Sequence, residues 1–312
     1  RHTMKIILPL ALSFFTFQQI SFLVDTYQSK VNEKSFLNYC LFVSFFPQLI
    51  AGPIVHHSQM LPQFSEKKRI TSLNLEIGFS FFALGLFKKV FIADGLSPKV
   101  TSLYTAVENG TILSSLEAWG AIWGYSFQLY FDFSGYADMA IGIALLFGIK
   151  LPVNFNSPYK AISFIEFWRR WHITLSIFLR DYLYILLGGN RLGQVRRYTN
   201  LFITMLLGGL WHGAGWTFLF WGGLHGLYLI TNHAWHFIKN HLKLEFLDQQ
   251  PLWRVFCWFL TFTSIVNAWV FFRATTFNSA VEILKGMYGF NGIALPNAIL
   301  VRLGNLSNIF ID

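Results

Sequence analysis

Residues 200–236 read NLFITMLLGGLWHGAGWTFLFWGGLHGLYLITNHAWH, a run that is almost wholly apolar yet holds His212 and His225 well inside it. One bilayer crossing takes about 20 apolar residues. The run is therefore expected to form two membrane-inserted segments, broken near the glycines around His212. An ionisable group at such depth is expensive, which makes it a functional-site candidate by default. His212, in Leu210-Trp211-His212-Gly213, is the first such candidate.

The rest of the chain shares this character. Charged residues make up 12% of it, half the roughly 25% of a soluble domain. Further apolar stretches cover residues 6–24, 36–50, 75–91, 116–148 and 253–272. The fold class expected is an all-α, polytopic integral membrane protein with about eight membrane-inserted segments. The net charge of +9 comes from short Lys/Arg clusters between apolar runs, the pattern of cytoplasmic loops and headgroup contacts, not of a nucleic-acid surface. Cys40 and Cys257 both lie in apolar runs and read as small hydrophobes.

Local features refine the picture. Pro47 interrupts the short stretch 36–50, which is expected to bend back instead of crossing. Lys88-Lys89 closes the span 75–91, and 116–148 has room for two helices or one broken helix. Its centre carries Asp132 and Asp138, six residues apart. Bare carboxylates are costly in hydrocarbon, so these are expected to pair with Arg, cap a helix or line a polar cavity, a structural role in preference to catalysis. Residues 150–197 are the most polar region, and Phe164, Trp168, Trp171, Leu175 and Phe178 recur there at helical spacing. That spacing predicts a basic amphipathic helix in the membrane surface, with the region on the cytoplasmic side.

Five stretches in this order carry a family resemblance: Pro47-Gln48-Leu49-Ile50-Ala51-Gly52-Pro53, Phe131-Asp132-Phe133-Ser134-Gly135-Tyr136, Phe167-Trp168-Arg169-Arg170-Trp171-His172, Arg180-Asp181-Tyr182-Leu183-Tyr184 and Gly209-Leu210-Trp211-His212-Gly213. Together they resemble the membrane-bound O-acyltransferases (MBOAT), in the alginate O-acetyltransferase branch, with the D-alanyl transfer protein of teichoic acid synthesis as a cousin. The resemblance implies an MBOAT-like helical bundle with re-entrant segments and amphipathic cytoplasmic-side helices, in a bacterial inner membrane. Residues 1–312 would form one acyltransferase domain. Family members are usually longer at both ends, so the chain is expected to be a fragment.

The family's reaction passes an acyl group from a cytoplasmic thioester to a hydroxyl beyond the membrane. Its buried active-site histidine matches His212, and its second characteristic polar position matches His172. A hydroxyl is a poor nucleophile until a base takes its proton, and imidazole is poised to do so near neutral pH. The resemblance implies no bound cofactor; acetyl-CoA, or another acyl thioester, is the donor substrate. Arg169, Arg170 and Arg180 are candidates to hold its phosphates, though positive-inside anchoring accounts for the same arginines. Trp211 is a further donor-side candidate. The partners implied are the lipid bilayer and an extracytoplasmic SGNH-type acetyltransferase or a polysaccharide synthesis and export complex.

The remaining histidines are given no such role. His225 lies 13 residues after His212, about 220° around an unbroken helix, and is not expected to share its face. His56 and His57 read as loop residues, and His233, His236 and His241 as interfacial. No metal ligand is assigned, because no pair shows the four-residue spacing of a helical metal site. Transport of acyl groups or polysaccharide without chemistry is the rival function, and the absence of an inverted repeat argues against it.

Overall fold

A computed structural model describes residues 12–31, 35–49, 52–66 and 70–292, and every regular element among them is helical. The start of the first expected span, Ile50 and Ala51, the basic run at 67–69 and the tail from 293 lie outside the described residues. The helices are α1 (Leu12–Tyr27), α2 (Phe36–Ser44), α3 (His57–Ser65), α4 (Ser72–Phe87), α5 (Asp94–Glu108) and α6 (Ser115–Leu146). They continue as α7 (Phe164–Trp168), α8 (Ile173–Leu179), α9 (Gly193–His212), α10 (Trp216–His241), α11 (Pro251–Arg273) and α12 (Phe277–Met287).

Two of these helices, α6 and α11, are long and apolar enough to cross a membrane. The sequence suggested more crossings, and the physical reason for the shortfall is local. The first two turns of α9 carry Gln194, Arg196, Arg197 and Asn200, and α4 is only 16 residues long. Large apolar side chains nevertheless stand exposed along α4 (Phe79, Leu84, Phe87) and α11 (Val255, Phe259, Leu260). Apolar surface on that scale calls for an apolar partner, which lipid supplies.

The described residues form two compact units. Among the described residues, the first draws on those between 12 and 91, 132–157 and 168–183, and the second on 92–131, 158–167 and 184–292.

In the first unit, α4 runs antiparallel to the second half of α6 along a seam of glycines. A Cβ on Gly85 would stand 2.6 Å from the Gly135 carbonyl oxygen, and one on Gly142 would stand 2.6 Å from that of Gly78. Small residues let membrane helices approach backbone to backbone. This corrects the expectation that residues 116–148 break or divide. α6 is continuous over 32 residues, because its central glycines serve packing, and a helix tolerates them at about 1 kcal/mol each.

The same seam explains Asp132 and Asp138. Their partners are lysines, not arginines: Lys88 Nζ lies 2.5 Å from Asp138 Oδ2 and Lys89 Nζ 2.7 Å from Asp132 Oδ1. Both lysines sit at the start of a widened helical turn, Lys88–Ala93, that joins α4 to α5 in place of the expected span end. Asp138→Asn should cost roughly 1–2 kcal/mol, less than a fully buried pair because both side chains reach solvent. Activity per folded molecule should be unchanged. Thermal unfolding and activity assays on the same preparation separate the two, and full stability with lost activity would assign Asp138 to the chemistry.

The basic amphipathic helix expected over 164–178 is interrupted. α7 ends at Trp168, α8 begins at Ile173, and His172 between them adopts φ 41°. A non-glycine residue in this left-handed region is disfavoured by about 1–2 kcal/mol, and the hydrogen bonds described below hold it there.

In the second unit, α9 and α10 form the hairpin that the glycines of 208–215 suggested. α11 packs on α10 through Trp221 and Trp269, stacked at 5.7 Å. α12 is held to α6 by Trp119 Nε1, which donates to the Met287 carbonyl at 2.7 Å.

Candidate active site

The hairpin sets His212 at the C-terminal end of α9, where Gly213–Gly215 turns the chain into α10. Its ring lies edge-on to three aromatic neighbours: Trp211 at 4.6 Å, Trp221 at 5.2 Å and Phe272 at 4.9 Å. The residue is only partly buried, and indole and phenyl rings flank its imidazole. Trp211, proposed from sequence for the donor side, is thus a wall of the histidine's own cage.

His225 belongs to the same cage. It is wholly buried, 4.7 Å from Trp221, 6.1 Å from Trp269 and stacked 6.1 Å from Phe167. Trp221 therefore touches both histidines. The rotation of about 220° expected between them presumed one unbroken helix. The hairpin folds α10 back on α9, and Gly209 and Gly222 meet at the crossing. His225 is a residue that the sequence reading left out, and the break at Gly213–Gly215 was the available signal.

His172 lies in the other unit and is 98% shielded from solvent, with 2% relative exposure. Its Nδ1 is 3.3 Å from Asn154 Oδ1, and its ring meets Phe133 edge-on at 4.7 Å. Asn154, fully buried, also accepts from the backbone and hydroxyl of Thr174, at 3.2 and 3.0 Å. Thr174 Oγ1 in turn accepts from the Ile54 N–H at 3.0 Å. This network fixes the left-handed turn and the imidazole together.

The proposed donor arginines share that unit with His172. Arg169 is exposed, while Arg170 donates to the Asn156 carbonyl at 3.2 Å. Arg180 makes a two-pronged contact with Asp181 at 2.6 and 3.0 Å. A guanidinium engaged by a carboxylate in this way is less available to a phosphate, so Arg169 and Arg170 are the better placed of the three. One further cluster, Asp25 with His56 and His57, has its ligand atoms within 4.8 Å of one another. The sequence reading placed both histidines in a loop; they cap and open α3 instead.

Residues 25–272 match the membrane-bound O-acyltransferase family, MBOAT. The chain belongs to that family. Among curated proteins, it is 50% identical to the peptidoglycan O-acetyltransferase of Helicobacter pylori, over 94% of this chain and 59% of that protein. It is 42% identical to a probable alginate O-acetylase of Pseudomonas aeruginosa, over 91% of this chain and 52% of that protein. The teichoic acid D-alanyltransferase of Bacillus subtilis is more distant, at 26% identity over 86% of the chain and 69% of that protein. The chain thus spans little more than half the length of the first two relatives. MBOAT membership establishes the membrane setting, and the matched span takes in both His172 and His212.

Proposed function

We propose that this MBOAT chain is the membrane core of an O-acetyltransferase, carrying acetyl from a cytoplasmic thioester, acetyl-CoA, to a hydroxyl of an exported polysaccharide or of its extracytoplasmic partner protein. His212 is the general base. The observation that carries this reading is the partly buried His212 imidazole, held among three aromatic rings at a helix end. The ring takes the acceptor's proton as its oxygen attacks the thioester carbonyl, and the thiol leaves with a proton when the tetrahedral intermediate collapses. His172 is a second polar group for the donor, and Arg169 and Arg170 meet its phosphates.

Acetyl as the group moved is supported by two relatives whose names specify O-acetylation, and a glycan acceptor by the same names. The same proposal covers the finer architecture: one acyltransferase domain, multi-pass in a bacterial inner membrane, with a re-entrant segment at 36–50, residues 150–197 facing the cytoplasm, and an SGNH-type acetyltransferase or a polysaccharide export complex as partner. The test is transfer of labelled acetyl from acetyl-CoA in membranes carrying the full-length protein and an exported glycan acceptor. Transfer above vector-only membranes supports the proposal. Uptake of label without its covalent transfer would favour the transport reading instead.

A further inference from the structure

Three pieces of chain far apart in sequence deliver ligand-type atoms to one point within the first unit. Asp25 stands in the last turn of α1, His56 and His57 at the start of α3, and Tyr182 in the widened turn Arg180–Tyr184 that follows α8. Asp25 Oδ2 lies 2.8 Å from His56 Nε2, 2.9 Å from His57 Nε2 and 2.6 Å from the Tyr182 hydroxyl. That hydroxyl is also 2.6 Å from His56 Nε2. Asp25 and His57 are each only 4% exposed.

Hydrogen bonding alone serves this convergence poorly. An imidazole nitrogen has one in-plane position, filled by either a proton or a lone pair. His56 Nε2 faces two oxygens, and one proton cannot align well with both. Meanwhile a single carboxylate oxygen faces three donors. A cation among the four atoms satisfies them together, since each presents it with a lone pair. On its far side, His56 Nδ1 is 2.6 Å from Ser58 Oγ and accepts the Ser58 backbone N–H at 3.3 Å as the cap of α3. An ion on Nε2 moves the ring proton to Nδ1, where Ser58 Oγ accepts it in place of that long cap contact.

We propose that Asp25, His56 and His57, with Tyr182 as the fourth group, bind a divalent transition-metal ion of the zinc type. Two imidazole nitrogens with two oxygens make a borderline donor set, which suits zinc, whereas calcium and magnesium seek mostly oxygen. Zinc bonds of about 2.0–2.1 Å place tetrahedral ligands about 3.3 Å apart. The three contacts to Asp25 Oδ2, at 2.6–2.9 Å, therefore lengthen by a few tenths of an ångström on binding.

A cleft lined by Lys30, His57, Ser58 and Ser65 gives an ion a route to the cluster. Lys30 Nζ is 3.7 Å from Asp25 Oδ1, but its side chain is 63% exposed and free to swing aside for a cation. Four protein ligands close a structural site. The ion ties the end of α1 to the start of α3 and to the turn after α8.

The test uses full-length protein purified in detergent without chelators, exposed to Zn²⁺, desalted and assayed by elemental mass spectrometry. About one zinc per chain is expected, falling by roughly tenfold or more in Asp25→Asn and His57→Ala, with His236→Ala unchanged. Co²⁺ in the wild type should give the intense visible bands of tetrahedral coordination. Tyr182→Phe, which removes only a hydroxyl, should shift those bands while the protein still elutes as a folded species. Zinc should also raise the melting temperature of wild type and not of His57→Ala. Wild-type protein that retains no zinc, or a His57→Ala variant that retains as much as wild type, overturns the site. An unshifted Co²⁺ spectrum in Tyr182→Phe overturns the fourth ligand.

Discussion

His212→Ala should reduce acetyl transfer to background while the protein remains inserted and folded. General-base catalysis is worth roughly 10²–10⁴-fold, or about 3–5 kcal/mol of barrier. Alanine also empties the aromatic cage, so its loss of activity alone would not distinguish a base from a packing residue. His212→Gln makes that distinction. Glutamine fills similar space and retains hydrogen-bonding atoms among Trp211, Trp221 and Phe272, but it cannot take a proton at neutral pH. Both variants should therefore fail alike. Transfer by His212→Gln within tenfold of wild type would show that the ring only packs. His225 provides the contrast. It is sealed from solvent in the same cage, so His225→Gln should lower transfer through the position of Trp221 without abolishing it. Rates would be compared at matched membrane expression under saturating acetyl-CoA.

How much of this was legible in the sequence depends on the range of the interaction. His212 was visible because one residue in an apolar run is enough to mark it. The hairpin was visible because its glycines are local. Asp132 and Asp138 were recognisably in need of partners, but Lys88 and Lys89 lie more than 40 residues earlier, and nothing in the chain distinguishes them from an arginine elsewhere. Of the stripe expected over 164–178, Trp171, Leu175 and Phe178 are buried, while Phe164 and Trp168 are only partly so. Periodicity cannot reveal that Asn154, from a distant loop, stabilises a left-handed residue in its middle. Glycines misled in one place and guided in another: Gly135 packs a continuous helix, whereas Gly213 and Gly215 flank a true break. The Asp25, His56 and His57 cluster had no local signature at all, since its members meet only through tertiary folding.

Gly209→Val should prevent accumulation of folded protein, and with it activity, although residue 209 touches no substrate in the proposed reaction. Helices α9 and α10 meet here with no side chain between them. A Cβ on Gly209 would stand 2.4 Å from the Phe218 carbonyl oxygen and 3.0 Å from Gly222 Cα, and one on Gly222 would stand 2.4 Å from the Met205 carbonyl oxygen. These obstacles are backbone atoms, which cannot rotate away as a side-chain tip can. The helices must separate instead, losing contacts along the whole crossing, at a cost of about 3 kcal/mol or more. His212 lies three residues beyond Gly209, on the turn that this separation moves. Misplacing a catalytic group by about 1 Å can cost on the order of 100-fold in rate, so even the surviving folded fraction should be impaired. Gly215→Ala is the matched control, because its Cβ would meet Phe218 at an ordinary 3.5 Å. Fluorescent size-exclusion profiles of detergent extracts, followed by transfer assays on the monodisperse peak, measure both effects. Wild-type yield and activity in Gly209→Val would mean that the two helices do not cross at this glycine, and the shared cage around Trp221 would have to be redrawn.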